Sequence, residues 1–372
     1  MAVLKLQPIL HKFNSFKEFA QEFDIGEEDC IFTNEFLYEP FMKEISLKAD
    51  FLFQEKYGMG EPSDEMINAL MAKISEKKYK RIIAVGGGTI IDISKILALK
   101  HVKNCIDLFE KKAPIVKDKK LIIVPTTCGT GSEVTNITIA EIKDKQTKIG
   151  LAADELYPED AVLIPELVKS LPFKFFATSS VDALIHAIES YVAPKSNGYT
   201  ELFSSKAIKL IIRGYKEIVE KGEDHRQELI EDFLVASNYA GIAFGNTGVG
   251  AVHALSYPLG GVYHVPHGEA NYQFFIEVFK TYNRKNPCGK ISKVNKMLAE
   301  LLEIDQDADV YEALEGLLNK LLSKNQLKEY GMKEEEIEAF ADSVIEKQQR
   351  LLANNYVPLS RDEIRDIYRA LY

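Results

Sequence analysis

The sequence is poor in the features that mark secreted, zinc-binding and membrane proteins. Its 372 residues include only four cysteines, which are Cys30, Cys105, Cys128 and Cys288, and they form no CxxC pair. We therefore predict buried free thiols rather than disulfides or zinc ligands. No apolar run is long enough for a membrane span, and the N-terminus has no apolar core suited to a signal peptide. These absences favour a cytoplasmic protein.

Positive charge is also scarce. The 46 Lys and Arg residues are outnumbered by 56 Asp and Glu residues, which gives a formal net charge of −10. Nucleic acids and anionic membranes bind to basic faces, so neither is an expected partner. A negative charge helps to keep a protein soluble, and it identifies no substrate.

The chain that remains has two stretches of different character. As far as about residue 165, short apolar runs alternate with segments of helical spacing, which predicts parallel strands joined by crossover helices. The expected strands are CIFT at 30–33, FLF at 51–53, RIIAV at 81–85, LIIVP at 121–125 and AVLI at 161–164. A hairpin of VTNITIAEI and TKIGLA is expected to extend this sheet.

From about residue 171, amphipathic helical segments follow one another to the end of the sequence. We therefore predict two domains. Residues 1–170 form an α/β domain with a Rossmann-like, doubly wound parallel sheet, and residues 171–372 form an all-α domain.

Two of the expected strands run into loops of small residues. RIIAVGGGTIIDISK places three glycines between a strand and a helix, where the backbone can approach a phosphate closely. LIIVPTTCGTGSEVTN follows the next strand with threonines and glycines. The GxGxxG fingerprint is absent, so either loop alone could be a purely structural turn. Two such loops at the carboxyl ends of strands favour a dinucleotide site, because open α/β sheets bind ligands there.

Residues with metal-binding side chains stand in two distant stretches. In SSVDALIHAIESY, Asp182 and His186 are four residues apart and share one face of a helix. In GAVHALSYPLGGVYHVPHGEANY, His253 lies in a helical segment that we expect to end at Pro258 and the glycines after it, and His267 opens another helix. The Asp–His pair alone is more typical of a hydrogen bond or a solvated face. Together the stretches predict three imidazoles and one carboxylate around iron(II), with zinc or manganese as alternatives.

Taken in order, GGGTIIDISK, PTTCGTGSEVTN, DALIHAIESY and HALSYPLGGVYHVPHGEANY resemble the iron-containing (group III) alcohol dehydrogenases over nearly the whole chain. The resemblance implies a dehydroquinate synthase-like fold, a homodimer, one divalent metal, and hydride transfer between a small alcohol or aldehyde and NAD. It implies that the metal ligands are Asp182, His186, His253 and His267. It implies that the cofactor-binding residues are Asn34, Gly87, Gly88, Thr89, Asp92, Thr126, Thr127, Thr130 and Lys148.

Within the family, EVTNITIAEIK, HVPHGEANYQFF and QQRLLANNYV are most similar to members that interconvert 4-hydroxybutyrate and succinate semialdehyde. Three other functions stay open at this point. The chain could be a family member that acts on 1,3-propanediol, butanol or lactaldehyde. It could be a lyase of the dehydroquinate synthase type, although that chemistry needs basic residues and the motifs have few. It could also bind a metal or nucleotide without catalysis.

Several positions leave the implied roles unsettled. Relatives often have an aspartate that binds the adenosine ribose where this chain has Asn34, so NADP stays possible beside NAD. Tyr257 stands where several relatives have a histidine near the nicotinamide, and His264 has no family role. These two are the candidate catalytic residues and, with the segment 354–356, the candidate contacts for a substrate carboxylate. His264 also fits a surface or packing residue. Glu189 either supports a metal ligand or forms a salt bridge elsewhere.

Overall fold

The computed structural model describes residues 2–145, 147–305 and 307–372. The chain divides into two compact units, of which one is Leu6–Leu171 and the other joins Pro172–Tyr372 to the residues up to Lys5. All four cysteines are free, and all but Cys288 are buried, which confirms the prediction of buried thiols for three of them. Among the described residues, no helix is both long and apolar enough to cross a membrane.

The first unit is an α/β unit. Its strands are β1 (Ile9–Lys12), β2 (Asp29–Thr33), β3 (Asp50–Phe53), β4 (Arg81–Gly86), β5 (Lys120–Pro125), β6 (Ile137–Ile142), β7 (Thr147–Ala152) and β8 (Asp160–Leu163). Its helices are α1 (Phe16–Glu22), α2 (Glu35–Phe41), α3 (Asp64–Ile74), α4 (Gly88–Leu97), α5 (Ile106–Phe109) and α6 (Pro165–Lys169). Six strands form one parallel sheet in the order β1-β8-β5-β4-β2-β3.

Both faces of the six-stranded sheet are covered. Along β4, Ile82 and Ala84 belong to one hydrophobic core, whereas Ile83 and Val85 belong to the other. Strands buried on both faces read as continuous apolar runs, which is why the sequence reveals them. The doubly wound parallel sheet followed by helices confirms the predicted fold class.

Two features of the sheet differ from the expectation. The predicted hairpin exists as β6 and β7, but it forms a separate two-stranded antiparallel sheet instead of extending the parallel one. Buried and half-buried residues alternate along β6, as is typical of a strand with one covered face. Strand β1 was not predicted, because it lies at the sheet edge and its residues ILHK are largely exposed.

The second unit is helical. Its helices are α7 (Phe173–Val192), α8 (Gly198–Lys221), α9 (Arg226–Thr247), α10 (Ala251–Tyr263), α11 (His267–Lys285), α12 (Lys290–Leu302), α13 (Val310–Leu318), α14 (Glu336–Lys347), α15 (Gln349–Leu352) and α16 (Arg361–Leu371). Helix α7 packs against α8, α9 and α11, and most of its residues are buried. A helix buried all round must find partners for its polar side chains inside the protein.

Helix α10 corrects the expectation that Pro258 and the following glycines end this segment. The helix continues through Pro258 to Tyr263 and ends at His264, whose backbone is left-handed with φ of 53°. An internal proline costs a helix about 3 kcal/mol through a lost hydrogen bond and a clash. Complete burial of Leu255 and Leu259 offsets this cost, since a buried leucine contributes about 1.5–3 kcal/mol.

Candidate metal centre and nucleotide-binding loops

Four predicted metal ligands come together in the helical unit. Asp182 and His186 lie one turn apart on α7, His253 lies in the first turn of α10, and His267 is the first residue of α11. One ligand atom from each of them lies within 4.8 Å of all the others. The three residues on α7 and α10 are buried, and His267 is half-buried. The helix spacing of the first pair and the short connection between α10 and α11 produce this convergence.

The donor atoms of the four residues face one another. His253 Nε2 lies 2.9 Å from His186 Nε2, and Asp182 Oδ1 lies 3.9 Å from Nε2 of both His253 and His267. Two imidazole nitrogens at 2.9 Å need either a shared proton or a common cation between their lone pairs. Three imidazoles and one carboxylate are a donor set that suits a divalent transition metal. The residues therefore fit the metal that the sequence predicts.

Glu189 supports His253 from the next turn of α7. Its Oε2 lies 2.6 Å from His253 Nδ1, and its Oε1 accepts a hydrogen bond of 2.9 Å from the backbone N–H of Val252. An ionised carboxylate can only accept, so the imidazole carries its proton on Nδ1. The Nε2 lone pair is thereby left to face the ligand cluster. Of the two roles that the sequence left open for Glu189, the contact agrees with support of a metal ligand.

Asn271 is a contact that the sequence analysis missed. Its Nδ2 donates to Asp182 Oδ1 at 2.8 Å and lies 3.2 Å from His267 Nε2, while its Oδ1 accepts from Ser256 Oγ at 2.5 Å. Burial opposes the ionisation of Asp182, but the three histidines and this amide outweigh it and hold the pKa of Asp182 below its ordinary value. The available signal was the position of Asn271 four residues after His267, on the same helix face.

Glycine makes the close packing around the cluster possible. A Cβ on Gly268 would lie 2.4 Å from the backbone oxygen of Thr178 and 3.1 Å from Asp182 Cβ. A Cβ on Gly250 would lie 2.9 Å from Asn355 Oδ1 and 3.4 Å from Glu189 Oε1. Helix α11 therefore approaches α7 at the ligands themselves, and α10 begins against the carboxylate of Glu189.

The two candidate catalytic residues lie differently with respect to this cluster. The ring of Tyr257 lies 6.4 Å from the ring of His267, measured between centroids. His264 is exposed and ends α10, and it is not a member of the ligand cluster. A catalytic role for either residue stays a prediction.

Two of the three candidate carboxylate contacts in segment 354–356 form hydrogen bonds within the protein. Asn354 Nδ2 donates to the backbone oxygen of Val249 at 3.1 Å, and the Tyr356 hydroxyl donates to the backbone oxygen of Cys288. Asn355 is buried with its side chain next to Gly250, and neither its Nδ2 nor its Oδ1 has a hydrogen-bond partner among the described residues. Asn354 and Asn355 lie next to the start of α10, whereas Tyr356 contacts the segment between α11 and α12. The contact of these residues with a substrate stays a prediction.

In the α/β unit, the two glycine-rich loops touch each other at the carboxyl ends of β4 and β5. A Cβ on Gly87 would lie 3.3 Å from Thr127 Cγ2, and one on Gly88 would lie 3.1 Å from Thr130 Cγ2. Thr126 donates its backbone N–H to the oxygen of Gly86 at 3.1 Å. Only small residues allow this approach, so the loops form one backbone-lined surface at the start of α4. Such a surface suits a pyrophosphate.

Asp92 and a lysine that the sequence analysis missed fasten the second loop to α4. Lys95 is fully buried and donates from Nζ to Ser132 Oγ at 2.6 Å, Thr135 Oγ1 at 3.1 Å and the oxygen of Ile137 at 2.6 Å. Ser132 in turn donates to Asp92 Oδ1 at 2.9 Å. Burial lowers the pKa of Lys95 to about 8 and raises the pKa of Asp92.

The remaining cofactor candidates lie around the segment that follows β3. Asn34 donates from Nδ2 to Gln54 Oε1 at 3.2 Å, and Gln54 donates to the oxygen of Gly60 at 3.3 Å. Thr89 donates its hydroxyl to the same oxygen at 3.0 Å. Lys148 on β7 forms an ion pair with Glu61. The nine candidates thus lie after β2 and β5, at the start of α4 and within it, and on β7, and their binding of a cofactor stays a prediction.

Comparisons with known proteins agree with this architecture. Residues 8–165 match the model of the iron-containing alcohol dehydrogenase family, and residues 176–372 match the C-terminal model of the same family. The chain belongs to the iron-containing alcohol dehydrogenase family. This confirms the resemblance that the four sequence motifs indicate.

Two relatives within the family differ greatly in their similarity to the chain. A 4-hydroxybutyrate dehydrogenase from Clostridium kluyveri is 63% identical over 372 residues, which cover the whole of both chains. A long-chain-alcohol dehydrogenase from Geobacillus thermodenitrificans is 32% identical over 321 residues, covering 84% of this chain and 80% of its own. The first similarity extends through both units.

Solved structures share the fold. A sulfoacetaldehyde reductase from Bifidobacterium kashiwanohense, in complex with NAD+, superposes with a TM-score of 0.85 at 23% identity, covering 99% of this chain and 98% of its own. A 1,3-propanediol oxidoreductase gives a TM-score of 0.83 at 22% identity, covering 99% and 100%. Identities this low support the fold alone.

Proposed function

We propose that the protein is a metal-dependent alcohol dehydrogenase that interconverts 4-hydroxybutyrate and succinate semialdehyde with NAD(H). The observation that carries the choice of substrate is the 63% identity to a 4-hydroxybutyrate dehydrogenase over the full length of both chains. The convergence of three histidines and an aspartate supports the metal-dependent chemistry.

Asp182, His186, His253 and His267 would hold the metal, and iron(II) is the proposed ion. When bound, the cation would supply Lewis acidity that lowers the pKa of the alcohol hydroxyl. The protein's own contribution is to hold the ligand atoms in place. Glu189 holds the proton of His253 on Nδ1, and Asn271 orients the carboxylate of Asp182.

The loops around Gly87 and Thr127 would hold the pyrophosphate and the nicotinamide side of NAD, and NAD would serve as the hydride acceptor. These loops offer backbone N–H groups at the start of α4 and side chains too small to block an anion. Lys95 and Asp92 keep the second loop fixed on α4. Fixed loops avoid an ordering cost when the cofactor binds.

The decisive experiment measures NADH formation by metal-depleted protein reloaded anaerobically with iron(II), zinc or manganese. Substrates are 4-hydroxybutyrate, 1,3-propanediol, butanol and the diol related to lactaldehyde. We expect iron-dependent NADH accumulation that is fastest with 4-hydroxybutyrate. Background rates with 4-hydroxybutyrate beside turnover of another alcohol would refute the proposed substrate. Net NADH accumulation during turnover would exclude the lyase alternative, because that chemistry recycles its cofactor.

The ligand set is tested by His267→Ala, with His225→Ala as the matched control. His225 is in the same unit but pairs with Glu217, at 3.0 Å. His267→Ala should lose both bound metal and activity, whereas His225→Ala should keep both. Retained metal and activity in His267→Ala would remove His267 from the ligand set.

Assembly as a homodimer and location in the cytoplasm stay predictions. The oligomeric state can be measured by light scattering of the purified protein. The location can be measured by fractionation of cells that produce it.

A further inference from the structure

Asn34 does not explain why this chain would use NAD in preference to NADP. In dinucleotide-binding sheets, the strand beside the one that carries the glycine-rich turn ends in an acidic residue, which binds the ribose hydroxyls. In this sheet β2 lies beside β4, and the residue after β2 is the uncharged Asn34. An amide at this point cannot repel the 2′-phosphate of NADP as a carboxylate does.

A carboxylate from the neighbouring strand, that of Glu55, contacts Asn34 and Glu35, and these three residues form one corner of the sheet. Glu55 follows β3, which pairs in parallel with β2, so both strands end at the same edge of the sheet. Glu55 Oε1 accepts a hydrogen bond of 3.1 Å from Asn34 Nδ2 and another of 3.1 Å from the backbone N–H of Glu35. Asn34 and Glu55 therefore form one polar unit with a net negative charge.

The second oxygen of Glu55 is in an unusual state. Oε2 is buried, and it has no hydrogen-bond partner among the residues that the structure describes. A buried carboxylate oxygen without a donor is costly, and such a group is a candidate for a ligand's hydrogen-bond donor. Adjacent ribose hydroxyls are donors of this kind.

We propose that Glu55 is the specificity-determining residue that makes this chain prefer NAD to NADP, an inference that rests on the proposed function. Its Oε2 accepts hydrogen bonds from the adenosine ribose hydroxyls, and its charge opposes a 2′-phosphate. Asn34 holds the carboxylate in place through Oε1 and so acts as a positioning residue. The acidic group is supplied by the strand next to the one on which it is usually found.

Glu55 also has a structural contact, because Oε1 accepts from the first N–H of α2. The Asn34 side chain makes no capping bond to that helix. Loss of this contact would loosen the corner for both cofactors equally. Only the proposed role changes the ratio of the two affinities, so the ratio is the quantity to measure.

The test measures dissociation constants of NADH and NADPH by their fluorescence, without alcohol and hence without turnover. Wild-type protein should bind NADH more tightly. Glu55→Gln keeps the shape and one acceptor oxygen but removes the charge, and it should reduce the NADH preference by roughly 10- to 100-fold, the range for a hydrogen bond to a charged group. Glu35→Gln is the matched control, since this exposed carboxylate lies at the same corner. It should leave the preference unchanged.

A double variant guards against simple disruption of the corner. Asn34→Asp combined with Glu55→Gln returns a carboxylate to the end of β2 and should restore the preference for NADH. An unchanged ratio in Glu55→Gln, or wild-type protein that binds NADPH as tightly as NADH, would overturn the inference.

Failure of the proposed function looks different. Wild-type protein that oxidises 4-hydroxybutyrate equally well with either cofactor would keep the function and reject the role of Glu55. Wild-type protein that binds neither cofactor would reject both.

Discussion

Replacing Gly268 by alanine tests whether the ligand cluster depends on the close approach of α11 to α7. The added Cβ would lie 2.4 Å from the backbone oxygen of Thr178, where ordinary contact begins at 3.4 Å. The obstructing atom belongs to the backbone of a buried helix, so it cannot rotate away. The two helices must separate by about 1 Å, which is the change in distance that relieves such an overlap.

The expected change in the free energy of unfolding is the result of two opposed effects. Alanine is favoured over glycine in a helix by up to about 1 kcal/mol. Overpacking of a close-packed interior costs about 1–3 kcal/mol. We therefore expect Gly268→Ala to lower the free energy of unfolding by up to about 2 kcal/mol. The same displacement moves His267 away from Asp182, and functional geometry tolerates only about 0.5 Å. Metal affinity should fall by roughly 10- to 100-fold, as when an outer contact is lost.

Two other glycines provide matched controls. A Cβ on Gly316 of α13 would meet nothing within 4 Å, so Gly316→Ala should stabilise the protein by up to about 1 kcal/mol. A Cβ on Gly214 of α8 would lie 2.6 Å from the buried ring of Phe233. Gly214→Ala should therefore destabilise the fold without lowering metal affinity.

The assays are denaturant unfolding of the metal-depleted proteins and metal competition with a chelator. Gly268→Ala alone among the three variants is expected to lose both stability and metal affinity. A Gly268→Ala protein that is as stable as Gly316→Ala and binds metal like the wild type would refute it. Equal loss of metal affinity in Gly214→Ala would show that general destabilisation is the cause.

Three further perturbations follow from the site. Glu189→Gln places an amide group against Val252 or His253, so the side chain no longer fixes the proton on His253 Nδ1. Metal affinity, measured by chelator competition, should fall by roughly 10- to 100-fold. Unchanged affinity would contradict the role of Glu189. Removing the metal with a chelator should abolish NADH formation while NADH still binds, and loss of cofactor binding would argue against a cofactor site confined to the α/β unit. Lys95 has a folded-state pKa of about 8, below its unfolded value, so the unfolded state binds more protons above pH 8 and stability rises with pH up to the unfolded pKa. Lys95→Met lacks this contribution, so the stability of the wild type relative to the variant should rise by up to about 3 kcal/mol from pH 7 to pH 10. A difference that does not change with pH would mean that Lys95 keeps an ordinary pKa.

The sequence predicts the parts of the fold in which local pattern and burial agree. Strands β2, β4 and β5 are buried on both faces and read as apolar runs. Strand β1 does not, because an exposed edge strand needs few apolar residues. The passage of α10 through Pro258 was also missed, since the proline is a local signal and the burial that offsets it arises from tertiary packing.

Some residues of the candidate site could also be predicted from local sequence pattern, and others could not. Asp182 and His186 are predictable because helix geometry fixes residues four apart, and Asn271 could have been found by the same spacing from His267. Lys95 carried a signal too, as a lysine inside the apolar stretch IIDISKILAL. Glu55 carried none. Its meeting with Asn34 depends on the order of strands in the sheet, which no local pattern encodes.

Two of the proposed ligands, and the glutamate that contacts a third, lie on one face of α7, and this links metal binding to the stability of the helical unit. Thr178, Asp182, His186 and Glu189 recur at helical spacing on a helix that is buried nearly all round. On this face, Nε2 of His186 lies 2.9 Å from Nε2 of His253 on α10, and a cation held between such lone pairs would stabilise the folded state. A metal that binds only the folded state adds about 4 kcal/mol of stability at a thousandfold excess over its dissociation constant. Metal-loaded protein should therefore unfold at a higher denaturant concentration than metal-depleted protein, and this difference should vanish in His267→Ala.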